Sequence, residues 1–145
     1  MRAAALTLGL WAAMSFGQSL STVYLFGHGT AEGMMYEFSI AGDRAEKLPR
    51  WVPSNDPLPL PTGTAVQTAE AWMKARNPEI KQFELATVAI AQMSYPSTLK
   101  DRWYYRIDFN PIVGGQRLHG GQFTAVVLFD NTIVEPRARK QVEVR

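Results

Sequence analysis

Two histidines are the side chains best suited to chemistry near neutral pH, and each sits among glycines. His28 lies in Gly27-His28-Gly29, and His119 in Gly114-Gly115-Gln116-Arg117-Leu118-His119-Gly120-Gly121. As a pair they could ligate a metal or act as acid and base. Neither has a second ligand at H-x-H or H-x-x-x-H spacing, so a metal would need a carboxylate brought from elsewhere. The expectation is two surface loop histidines with no metal and no other cofactor. A small hydrolase or metal-dependent enzyme built on them is the alternative.

The run from Gly114 to Gly121 also offers backbone amides to an anion, with Arg117 beside them. No helix is expected after it and the G-x-x-x-x-G-K-[ST] pattern is absent, so a phosphate loop fails on context. It reads as a flexible strand connection whose tip could touch a ligand. Tyr104, Arg106 and Asp108 share one face of an alternating segment. Acid-base work there needs a partner within reach, and pairing of Arg106 with an acidic residue across a strand is expected instead. Trp103 and Tyr105 belong to the opposite face, which leaves Tyr104 and Tyr95 as exposed aromatics, too few for a stacking platform. The serines form no G-x-S-x-G elbow. With no cysteine, a thiolate nucleophile, a disulfide, a thiolate metal site and a lipid-bearing cysteine are all excluded. The candidate binding surface is therefore His28, Tyr104, Arg106, Arg117 and His119, and no catalytic constellation accompanies it.

The elements that must position these residues follow from periodicity. Leu20 to Phe26 and Met34 to Ile40 read as strands of a hairpin, with Gly27, Gly29 and Gly33 punctuating the segment between. A polar stretch, Gly42 to Lys47, follows. Leu48 to Pro61 holds five of the nine prolines, at 49, 53, 57, 59 and 61, and reads as an extended strap pinned by Trp51, Leu58 and Leu60. Thr64 and Gln67 fit a capping box. Ala65, Ala69, Trp72 and Met73 then form one helical stripe that ends at Asn77-Pro78. If the Trp72 indole is fully buried, Trp72→Ala is expected to cost about 3–5 kcal/mol. Beyond the helix the period is two. Gln82 to Met93, Arg102 to Phe109, Phe123 to Phe129 and Thr132 to Val134 read as strands, the third apolar on both faces and so covered on two sides. Asp130-Asn131 is a tight turn.

At 145 residues the chain is of single-domain size. Arg2 followed by the uncharged run from Ala3 to Phe16, then Ser15 and Gly17 ahead of Gln18, has the layout of a secretory leader. The run is shorter than the roughly 20 residues that span a bilayer. The expected organisation is a leader over 1–17 and one domain over 18–145: hairpin 18–47, strap 48–61, helix and meander 62–136, and tail 137–145. Without Arg2, fourteen basic residues face thirteen acidic ones, so nothing marks a nucleic-acid binder. Arg137, Arg139, Lys140 and Arg145 make a basic but interrupted tail, expected to be solvated and frayed.

Trp51 with Pro53, the Pro57-Leu58-Pro59-Leu60 strap, Ala65, Ala69 and Trp72, Trp103-Tyr104-Tyr105, and Val126 through Val134 together resemble PepSY-like and cystatin-like small secreted domains. The likeness extends to a group of small exported bacterial proteins. It spans roughly residues 48–136, with Asn131 where such chains often carry glycine at the final turn. The resemblance implies a non-catalytic envelope module that restrains a peptidase or recognises a peptide, and it transfers no catalytic residue. The fold expected is α+β: a single helix packed on an antiparallel β-sheet meander, preceded by a β-hairpin and a proline-rich strap. The function expected is an exported binding or inhibitory module whose partner is an envelope protein or peptide, without stable membrane insertion after cleavage. A self-associating envelope component is the further alternative, and the oligomeric state stays open.

Overall fold

The computed structural model describes residues 22–30, 32–118 and 123–140. The expected leader, His119 and the tail past residue 140 lie outside the described residues. Among the described residues the fold is mixed α+β, with two antiparallel sheets and one main helix. Strands β1 (Val23–Gly29) and β2 (Met34–Ile40) form a hairpin, and β8 (Arg137–Lys140) adds to β2 to complete a three-stranded sheet in the order β1-β2-β8. The second sheet runs β3 (Gln82–Gln92), β4 (Trp103–Val113), β6 (Thr124–Leu128), β7 (Ile133–Val134), with β5 (Gln116–Arg117) paired to β4. Two helices, α1 (Gly42–Lys47) and α2 (Thr62–Arg76), complete the described elements with a short 3-10 turn at Ser97–Leu99. Among the described residues no helix is long and apolar enough to cross a membrane.

Alternation along β4 and β6 divides the interior into two cores. Tyr105, Ile107 and Phe109 of β4, with Ala125 and Val127 of β6, pack against Ala65, Ala69 and Met73 of α2. The other faces of the same strands send Tyr104, Val126 and Leu128 against Val23, Leu25, Phe38 and Ile40 of the small sheet. The larger sheet is thus sandwiched between helix and second sheet, and every residue of β6 is buried. The expected two-sided burial of this strand is what its apolar run from Ala125 to Leu128 produces.

Four sequence expectations change. The helix is not alone: Gly42 to Lys47 forms α1, because Ala45 and Leu48 supply an apolar pair three apart that enters the core. Arg102, itself buried, ties α1 down by donating from Nη2 to the Glu46 carbonyl at 2.8 Å. Helix α2 begins at Thr62, with Pro61 as N-cap and no side-chain cap bond. The Pro61 carbonyl accepts from Ala65 N at 3.1 Å, and the proline ring keeps Leu60 out of helical geometry, so the Thr64–Gln67 box is not the start. The basic tail is a strand over Arg137–Lys140: Arg137 pairs with Glu37, and Arg139 Nε lies 3.2 Å from the Glu37 carboxylate. Finally, Met73 rather than Trp72 is the large side chain fully buried beneath α2; the indole is only half-buried.

Residues 48–61 are held through aromatic donors. Trp51 Nε1 donates to the Asp56 carbonyl at 2.9 Å, and Trp103 Nε1 donates to the Trp51 carbonyl at 3.0 Å. The two indoles meet edge to face at 5.2 Å. Tyr105 donates its hydroxyl to the Leu60 carbonyl at 2.7 Å, which satisfies a phenol at the centre of the helix-side core. At the last turn Asn131 takes φ 65, as a tight Asp-Asn turn requires.

Met73→Ala is expected to lower unfolding free energy by about 2–5 kcal/mol, the usual range for emptying a buried Met site. Trp72→Ala should cost clearly less, because its indole is already half in water. Urea unfolding of the two variants beside the parent chain measures the order; the reverse order would place Trp72, not Met73, at the packing centre.

Candidate functional site

A cleft of about 220 Å³ opens where the end of α2 meets β1, β2 and the start of β6. His28, Tyr36 and Phe38 wall it from the small sheet; Trp72, Arg76 and Glu79 wall it from the helix end, and Thr124 and Pro136 close it. Helix α2 ends here because Asn77 turns back, donating from Nδ2 to the Met73 carbonyl at 2.9 Å. The last turn carries Arg76 at the negative end of the helix dipole. Arg76 is already matched: Nη1 donates to Glu135 Oε2 at 2.9 Å, and its guanidinium carbon lies 5.2 Å from the Trp72 ring centroid. Trp72 Nε1 donates to the other oxygen of the same carboxylate at 2.7 Å. One carboxylate therefore fixes both the aromatic wall and the cation of the rim.

His28 stacks on Tyr36 with ring centroids 5.4 Å apart and planes at 25°, and Phe26 and Phe38 lie 5.8 and 6.3 Å away. Both imidazole nitrogens are buried and meet no hydrogen-bond partner among the described residues. Burial pushes the His28 pKa below its ordinary value near 6.5, and the Asp108 carboxylate pulls weakly the other way. The ring is accordingly neutral at pH 7. Asp108 is occupied elsewhere, accepting from Thr124 Oγ1 at 2.6 Å and lying 3.5 Å from Arg106 Nε.

The structure brings together some of the five residues singled out from sequence and separates others. His28 and Arg106 approach through Phe26, whose ring lies 4.9 Å beneath the Arg106 guanidinium. Tyr104 is not an exposed stacker: it is buried and donates its hydroxyl to the Leu25 carbonyl at 2.6 Å. The small sheet covers that face of β4, and burial raises the Tyr104 pKa above its ordinary value near 10.0, with Arg106 opposing. Arg106 finds its acidic partner two residues along its own strand, since its cross-strand neighbours are Ala89 and Val126. Arg117 is remote and grips both oxygens of Glu84. Gly114 and Gly115, at φ 58 and 77, make the two-residue connection between β4 and β5, the geometry of a type I′ hairpin turn rather than an anion cradle. His119 lies outside the described residues.

Sequence reasoning missed Trp72, Arg76 and Glu135 as a unit. The spacing of Trp72 and Arg76, four apart on one helix face, was the available signal. Nothing local ties Glu135, fifty-nine residues beyond Arg76, to that pair. Among the described residues no cluster of His, Asp and Glu could hold a metal ion.

Because the folded chain keeps His28 neutral, the unfolded chain takes up a proton first as pH falls below about 6.5. Stability is therefore full above that value and declines on acidification toward the lower folded-state pKa. Urea midpoints measured from about pH 7.5 to about pH 5.5 should fall for the parent chain and flatten in His28→Phe; equal slopes would remove the imidazole as the cause. Compared with known proteins, no family model, no curated protein and no solved structure matches this chain.

Proposed function

We propose that this chain is an exported, non-catalytic binding module that seats one uncharged ring of its ligand, such as an aromatic side chain of an envelope peptide, in the cleft beside His28. The cleft is the observation that carries this reading. Its volume of about 220 Å³ exceeds the roughly 150 Å³ of an apolar cavity that accepts benzene. Flat walls suit a ring: the stacked His28 and Tyr36 on one side, the Trp72 indole on the other. Charge disfavours an anion, since Arg76 is matched by Glu135, His28 is neutral, and Glu79 adds a negative charge at the rim. A binding role rather than catalysis is supported by the imidazole's surroundings, because among the described residues neither nitrogen meets a hydroxyl or carboxylate that it could activate.

Export rests on the leader pattern of residues 1–17. In the same reading residues 48–61 act as a strap over the domain, and the helix with the β3-to-β7 meander is the rigid frame that presents the cleft. A non-catalytic envelope module that recognises a peptide is also what the PepSY-like or cystatin-like resemblance implies.

Titration of the isotope-labelled chain with N-acetylphenylalaninamide, a capped and uncharged aromatic residue, tests the site. The Trp72 indole N–H resonance should shift saturably with Kd near or below about 1 mM, and His28→Leu should weaken binding about tenfold, or roughly 1.4 kcal/mol. Absence of any shift at Trp72 would sink the cleft reading. Fractionation of expressing cells should recover the chain outside the cytoplasm beginning at Gln18; an intact leader on cytosolic protein would sink the export reading.

A further inference from the structure

Among the described residues strand β3 is the edge of the larger sheet, eleven residues long and paired only with β4. Its side chains make this edge open rather than guarded. Glu84 is the one charged residue of the strand, and it leans back across β4 to Arg117 of β5. No lysine or proline interrupts Gln82 to Gln92, the usual protection of an exposed edge. A bulge between Leu85 and Thr87 breaks the register, and beyond it Thr87 to Gln92 is regular.

Backbone directions along that regular stretch follow from one bond. Met93 N donates to the Arg102 carbonyl at 2.9 Å, so Met93 faces β4. Antiparallel alternation then turns Ala91, Ala89 and Thr87 toward β4, and leaves the N–H and C=O of Val88 and Ile90 pointing outward. No backbone partner meets them among the described residues. Ile90 and Leu85 are also among the exposed large apolar side chains.

We propose that this edge pairs with the same edge of a second copy of the chain, antiparallel about a two-fold axis at Ala89. In that register Val88 faces Ile90 of the second copy and exchanges hydrogen bonds with it, twice by symmetry. Thr87 faces Ala91, and Ala89 faces itself, where a methyl group allows close approach. Every facing residue is uncharged, and the two Glu84 carboxylates stay on their own Arg117 partners. A strand with no free charge selects no charged peptide. What it complements is a neutral strand of small and β-branched residues, which is its own composition. The opposite edge of the same sheet, β7, has two residues, too short to continue the array, so association in this sheet closes at two copies.

Analytical ultracentrifugation of the purified chain from about 1 µM to about 1 mM should show a monomer–dimer equilibrium. Ile90→Pro deletes an outward N–H without touching the β3–β4 ladder, and Ile90→Lys places charge beside the axis. Each variant, checked for folding by its thermal melt, should be monomeric across the range. In the parent chain the Val88 and Ile90 amides should exchange slowly only at dimer-forming concentration, whereas Ala89 and Ala91 stay protected throughout. A chain that remains monomeric at the highest concentration overturns the proposal, as does one whose Val88 and Ile90 amides slow only on adding an extended peptide. A dimer that persists in both folded variants overturns it as well.

Discussion

Strand β6 is the constraint on which the rest depends. Its residues are buried without exception, and successive side chains enter different cores: Ala125 and Val127 beneath the helix, Val126 and Leu128 beneath the small sheet. A shift of one residue in its pairing with β4 would exchange the two sets. Both layers are therefore keyed to a single register. Phe109 N donates to the Phe123 carbonyl at 2.9 Å just ahead of the strand, and the Asp130-Asn131 turn holds its far end. Between these anchors the position of α2 and of the β1-β2 hairpin, and hence of the cleft between them, is set.

Much of the helix-side half was legible in the sequence. The stripe Ala65, Ala69, Met73 and the alternation Tyr105, Ile107, Phe109 are each local patterns, and their meeting is the simplest way to bury both. The sheet-side half was not, for a physical reason. Tyr104, Arg106 and Asp108 alternate with apolar residues as a solvent face would, yet a second sheet lies over them. Polar side chains tolerate that cover when their groups are satisfied: Tyr104 by the Leu25 carbonyl, Asp108 by Thr124. Composition cannot separate a wet face from a covered one when the covering element begins eighty residues earlier. The same difficulty hid β8, whose Arg137, Arg139 and Lys140 look like a frayed tail until Glu37 is set opposite them.

The site shows a similar division. His28 was visible as an isolated titratable side chain between glycines, and one of those glycines has a spatial reason to be there. A Cβ at Gly27 would meet the hydroxyl of the exposed Tyr24 and lie 3.2 Å from the Tyr36 carbonyl oxygen, so a larger residue there would have to displace that tyrosine. The other walls of the cleft come from the helix end and from Pro136, and their gathering depends on Glu135 reaching back to Trp72 and Arg76. A carboxylate just after a two-residue strand carries no sequence signal for that role.

The two interfaces of the sandwich also differ in kind. Between α2 and the larger sheet the packed side chains are apolar, and the buried phenol of Tyr105 has its carbonyl partner. On the opposite face lie all the buried side-chain atoms without a hydrogen bond among the described residues: both nitrogens of His28, Nε of Arg102, and Nε of Arg106, which keeps its ion pair with Asp108 at 3.5 Å. A buried atom left wholly unpaired forfeits hydrogen bonds that water would give, at a typical cost of about 1–3 kcal/mol. The joint between the small sheet and the larger one therefore carries polar costs that the helix side does not. Opening, where it occurs, should begin at that joint, and the cleft lies along it.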